Sequence, residues 1–143
     1  MALDTRVYST RMSVRPDDID LFRHVHSSRY IDYVLAARFE QMKTCYGMPM
    51  EEFLEHGLGW YMTGTELHFK RALGMGDTFD VETHIKEMTG RNVLVHFDIK
   101  FAGNGKSSCT GWAKYALVDL KTGKTIEIPQ WVIDRYSMTE DNS

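Results

Sequence analysis

Only one long stretch of this chain has the period of a helix; most of the chain beyond it alternates like a strand. Ile31, Val34, Leu35, Phe39, Met42, Cys45 and Tyr46 fall on one face at 3.6 residues per turn, which predicts an amphipathic helix from about Ser28 to Tyr46 with that face buried. Ser27 or Ser28 is placed to cap its start. Gly47, followed by Met48-Pro49, is the expected stop, because glycine tolerates the left-handed turn and proline cannot continue the helix. Arg38 lies inside the apolar stripe, where a charge calls for a buried or half-buried ion pair with a carboxylate of the sheet or of a partner subunit.

Residues 50–56 can form one or two further helical turns before Gly57 and Gly59. Beyond them the pattern is of strands. Tyr61 to Phe69 is rich in aromatic residues and Thr; Phe79, Val81 and Ile85 alternate with Asp80 and Glu82. The run Val93, Val95, Phe97, Ile99 and Phe101 opposes His96, Asp98 and Lys100. Turns are expected at Gly90-Arg91, Gly103-Asn104-Gly105 and Lys121-Thr122-Gly123-Lys124, with another strand over 108–120. Trp131 to Met138 reads as a short helix or irregular segment, and an N-terminal strand from Thr5 to Arg15 completes the set. This order predicts an α+β domain in which one antiparallel five-stranded sheet packs on one long helix.

The chain has 143 residues and 43% hydrophobic content, enough for one domain over residues 1–143 with a core of its own. Lys and Arg total 17 against 20 Asp and Glu, so no basic field favours nucleic acid. Cys45 and Cys109 are the only cysteines and nothing resembles a leader or a membrane span, so a reducing, cytoplasmic setting is expected. Cys45 belongs to the helix stripe and Cys109 to a strand, and both read as structural rather than nucleophilic.

The chemistry concentrates at the start of the long helix. Asp17, Asp18 and Asp20 lie just upstream of a helix end whose free N–H groups and partial positive charge would polarise a carbonyl oxygen, while a nearby carboxylate attacks it or activates water. The plainer reading is that these acids only cap the helix or answer its dipole. Asp20, His24 and His26 as metal ligands are a weaker alternative, since no further Cys or His closes a four-ligand set. Trp60, Tyr61 and Met62 are read either as an acyl pocket or as ordinary core.

The run Asp18-Ile19-Asp20-Leu21-Phe22-Arg23-His24-Val25-His26-Ser27-Ser28-Arg29-Tyr30 resembles the D-x-D-x-x-G-H-V-N-N-x-x-Y signature of hotdog-fold acyl-CoA thioesterases of the 4-hydroxybenzoyl-CoA thioesterase type. Residues 69–83, an aromatic, polar, Gly-Asp and alternating-strand block, are similar to a second stretch of that family. The resemblance implies a hotdog fold, with the sheet wrapped around the central helix and two subunits joining their sheets in a homodimer or homotetramer, their active sites at the interface. It implies hydrolysis of an acyl-CoA, or of an acyl group on a carrier protein, with no cofactor and no metal. Asp20 takes the place of the family's general base or nucleophile, and the Ser27 backbone N–H that of the donor to the thioester carbonyl. Tyr30, His24 and His26 would line the site. Lys70, Arg71 and Arg91 are the basic residues first in line for the phosphates of coenzyme A, with Lys100 and Lys106 also available. Arg23 stands where the family has glycine, and His26-Ser27 where it has an Asn pair. A non-catalytic acyl-CoA binder and a hotdog hydratase or dehydratase are the two rival functions; the His-plus-acid pattern of the latter is not evident.

Overall fold

The computed structural model describes residues 2–138. In chain order the elements are β1 (Ala2–Leu3), β2 (Tyr8–Ser13), α1 (Tyr30–Thr44), α2 (Met50–Glu55), β3 (Leu58–Phe69), β4 (Thr78–Thr89), β5 (Asn92–Phe101), β6 (Ser107–Asp119), α3 (Gln130–Arg135) and β7 (Ser137–Met138). Five strands form an antiparallel sheet in the order β2-β4-β5-β6-β3, with α1 packed against it. The expected α+β hotdog arrangement is therefore present, with β2 and β3 as the two edges.

The strand patterns translate directly into burial. Phe79, Val81 and Ile85 of β4, with Val95 and Ile99 of β5, are fully enclosed on the face toward α1, as period-2 alternation requires of a sheet covered on one side. The N-terminal strand is shorter than the sequence pattern suggests, Tyr8–Ser13 rather than 5–15. Ala2–Leu3 instead pairs with Ser137–Met138, which ties the two ends of the described chain together after the short α3. Two-residue strands carry too little pattern to be read from sequence. β6 has to carry glycine at position 111, because a Cβ there would collide with the Glu66 carbonyl of the neighbouring strand.

The long helix begins later than expected and turns a different face to the sheet. His26, rather than either serine, caps a 3-10 turn over Ser27–Arg29, its Nδ1 accepting from Ser28 N–H at 3.3 Å, and the α-helix proper starts at Tyr30. It ends at Thr44, two residues before the expected Tyr46, and Gly47, at φ of +65°, turns the chain away as expected of the stop. The buried face is Tyr30, Tyr33, Val34, Ala37, Arg38, Gln41 and Met42, whereas Leu35 and Phe39 are 36% and 48% exposed. Hydrophobicity alone misplaces the stripe because the sheet offers polar partners. Gln41 Nε2 donates to Thr10 Oγ1 at 2.9 Å, and Thr83 Oγ1 donates to Gln41 Oε1, so an amide is satisfied in the core. Arg38 is buried as expected, but the described residues supply no carboxylate for it. Its sheet partner is the Thr83 hydroxyl at 3.5 Å.

Candidate active site at the start of the long helix

The segment between β2 and α1 owes its shape to Asp18. Its carboxylate is almost wholly buried and accepts from Tyr33 Oη at 2.7 Å and from Arg15 Nε at 2.8 Å, with Arg29 Nε at 3.5 Å. Burial alone would raise its pKa, but these hydrogen bonds and the two guanidinium charges outweigh it and hold the carboxyl below its ordinary value. The Asp18 main-chain carbonyl also accepts from His26 N–H at 2.8 Å, so one residue pins both ends of the loop that contains Asp20. Asp18 is thus not simply one of three helix-end acids with Asp17 and Asp20. The available signal was Arg15, three residues upstream.

Asp20 closes a tight turn rather than reaching for the helix. Its Oδ1 accepts from the N–H groups of Phe22 at 2.9 Å and His24 at 3.2 Å, and its own N–H donates to the His24 carbonyl at 2.9 Å. His24 thus orients the loop through its backbone. The turn requires a left-handed residue at position 23, and Arg23 adopts φ of +64°, the only non-glycine residue with positive φ among those described. Left-handed φ costs a residue with a Cβ on the order of 1–2 kcal/mol, partly offset in a glycine variant by greater freedom of the unfolded chain. Arg23→Gly should therefore stabilise the protein by about 0.5–1 kcal/mol, seen as a small rise in Tm; a fall would show that the Arg23 side chain makes a compensating contact.

Asp20, His24, Val25, His26, Ser27 and Tyr30 converge with Phe69, Lys70, Arg71 and Ala72 on a cleft of about 350 Å³. The Ser27 N–H, at the first position of the helical turn, donates to no acceptor among the described residues, as expected of a helix start. Tyr30 is buried, its ring edge-on to Phe69 at 5.2 Å, and its hydroxyl accepts from Leu73 N–H at 3.0 Å. It holds the wall of the cleft. His26 spends Nδ1 on the Ser28 hydroxyl and amide. Arg71 anchors to the Ser107 carbonyl at 3.1 Å, and both Lys70 and Arg71 are exposed at the mouth. Arg91 does not join this group. It sits at the β4–β5 hairpin, where its guanidinium donates to the carbonyl and hydroxyl oxygens of Thr125, and Lys100 pairs with Glu82 on β4. Phe69, the last residue of β3, and Ala72, in the loop after it, also line the cleft; neither is a site candidate from sequence, although both fall within the 69–83 stretch that resembles the family.

Residues 14–136 match the family model described as the thioesterase-like superfamily, which takes in the whole cleft. The chain belongs to the thioesterase-like superfamily. Among superfamily relatives it is 18% identical to the long-chain acyl-CoA thioesterase FadM of Escherichia coli over 119 residues, covering 83% of this chain and 89% of FadM. The DHNA-CoA thioesterase of Staphylococcus aureus superposes with a TM-score of 0.83 at 16% identity, over 90% of this chain and 85% of that one. A second Staphylococcus aureus protein, solved in complex with CoA, superposes with a TM-score of 0.82 at 14% identity, over 97% and 90%. The superfamily fold thus extends over nearly all of the described chain.

Proposed function

We propose that this protein hydrolyses acyl-CoA thioesters to the free acid and CoA at the cleft before α1. The observation that carries the reading is the pairing of a turn-held carboxylate, Asp20, with an unsatisfied helix-start N–H at Ser27 in one cleft. With the thioester carbonyl oxygen at the Ser27 N–H, charge developing on that oxygen meets a fixed donor and the positive end of a helix. Asp20 removes a proton from water as the water oxygen attacks the acyl carbon, or attacks that carbon itself to give an anhydride that water then opens. In either case the C–S bond breaks and the sulfur leaves as thiolate. A thiol with pKa near 8.5 leaves without a strong acid, which is why one carboxylate and one amide suffice. Lys70 and Arg71 at the mouth face the phosphates of CoA or of a carrier-protein arm.

The long β3 edge of the sheet supports a homodimer. It presents unpaired backbone, with Phe69 exposed at the cleft and Tyr61 exposed toward the other end of the strand, the kind of edge that native proteins cover. Two free cysteines fit a reducing, cytoplasmic setting, and no described helix is long and apolar enough to cross a membrane. The test is thiol release from acetyl-, medium-chain, long-chain and aromatic acyl-CoAs. Turnover of any of them supports the reading; binding of acyl-CoA with no turnover across the set would make the protein a carrier of acyl-CoA instead.

A further inference from the structure

Further along α1, a second cavity contains a cation that the described residues leave unanswered. Arg38 is 8% exposed and forms no ion pair among them; its guanidinium donates to the Thr83 hydroxyl at 3.5 Å, sits with its carbon 5.4 Å from the Tyr46 ring centre, and has the phenols of Tyr115 and Tyr136 nearby. The hydroxyls of Tyr46 and Tyr115 are both buried and have no hydrogen-bond partner among the described residues. Arg38 and Tyr115 line a cavity of about 230 Å³ whose other walls include Leu35, Met42, Trp60 and Tyr136. A buried charge without a counterion and a buried hydroxyl without a partner are both costly to leave unanswered. Arg38 and the Tyr115 hydroxyl, together in the wall of this cavity, are short of one acceptor.

We propose that this cavity receives the far end of the acyl group and that this end carries a carboxylate, paired to Arg38 and hydrogen-bonded by Tyr115. The inference rests on the hydrolase reading and names its substrate class: CoA thioesters of dicarboxylic acids. A guanidinium fork matches a carboxylate with two parallel N–H bonds. Burial keeps the Tyr115 hydroxyl protonated, as a donor. The size is suitable, since an apolar cavity of roughly 150 Å³ accepts a benzene ring. The spacing is suitable too. Arg38 lies 11 positions beyond Ser27, across the 3-10 turn and then along α1, roughly 18 Å at rises of about 2.0 and 1.5 Å per residue. A helical side chain leans back toward the helix start and an extended chain advances about 1.2 Å per chain atom, so an acyl group of roughly 12 to 15 atoms matches that separation.

Matched pairs of substrates test this: adipoyl-, suberoyl- and dodecanedioyl-CoA beside hexanoyl-, octanoyl- and dodecanoyl-CoA, with thiol release as the readout and calorimetric binding of free dodecanedioate as a second, chemistry-independent one. The carboxylate-ended member of the best pair should have a KM about 10- to 100-fold lower, the range for a hydrogen-bonded charge. Arg38→Met should shift preference toward the methyl-ended partner and abolish dodecanedioate binding. Tyr115→Phe, which keeps the ring and the packing, should reduce the preference several-fold, and it serves if Arg38→Met does not fold. Equal KM within every pair, or a preference that survives Arg38→Met, overturns the proposal and leaves hydrolysis standing. Dodecanedioate binding that depends on Arg38 in a protein that hydrolyses no thioester keeps the anion site and overturns the hydrolase reading.

Discussion

Asp20→Asn should leave a folded protein that has lost on the order of 10² to 10⁴ in turnover, the range for a group that moves a proton in the transition state. The substitution is chosen for what it preserves. Asparagine retains an oxygen that can accept from the N–H groups of Phe22 and His24, the two hydrogen bonds that the Asp20 Oδ1 makes, so the turn survives while the carboxylate charge and its basicity are removed. Thiol release and thermal unfolding, measured on the same preparation, separate the outcomes. Lost turnover with an unchanged Tm assigns the chemistry to the carboxylate. A large drop in Tm would mean that the charge itself holds the loop, and unchanged turnover would remove Asp20 from the reaction.

The largest expected effect on stability is at Asp18. Asp18→Ala removes the acceptor for the Tyr33 hydroxyl and for Arg15 Nε and leaves a gap under the loop. Breaking a buried pair costs about 3–5 kcal/mol when both partners are enclosed. Here Arg15 and Arg29 are roughly half-exposed, so water recovers part of that and about 3 kcal/mol is expected, a fall in Tm of roughly 10 °C for a chain of this size. Because the side chain anchors the residue whose main-chain carbonyl holds His26, releasing it should shift the loop and lower turnover as well. The same group sets an acid limit. Its folded pKa lies below the unfolded value near 3.8, so its contribution is complete above about pH 4 and disappears as the pH falls through the folded pKa. Stability of the wild type measured against pH should therefore drop more steeply below pH 4 than that of Asp18→Asn; parallel curves would show that the carboxylate does not carry this linkage.

The sheet was legible because alternation is a local property. Val93 to Phe101 has to bury one face whatever it pairs with, and β4 and β5 follow. The helix was legible in its existence and its end, but not in its face. Leu35 and Phe39 are exposed while Gln41 and Tyr33 are enclosed, an inversion set by hydrogen bonds to Thr10 and Asp18, which are remote in sequence. The cleft divides in the same way. Residues within the stretch 20–30 come together because they are one continuous loop and helix start. Arg91 could not be placed by type alone, since a basic residue at a strand end is as well suited to a neighbouring carbonyl as to a phosphate. Phe69 and Ala72 lie at and just beyond the end of β3, and only the pairing of that strand with β6 carries them to the cleft.

The unsatisfied N–H at the helix start has a consequence for how such a site changes over generations. A donor that belongs to the main chain is supplied by every residue except proline, so position 27 can exchange serine for asparagine, histidine or alanine without losing it. Side-chain scanning at position 27 is then blind to half of the proposed machinery. What the proposed site requires there is a backbone path, and that path is held by the His26 side chain and the Asp18 carbonyl.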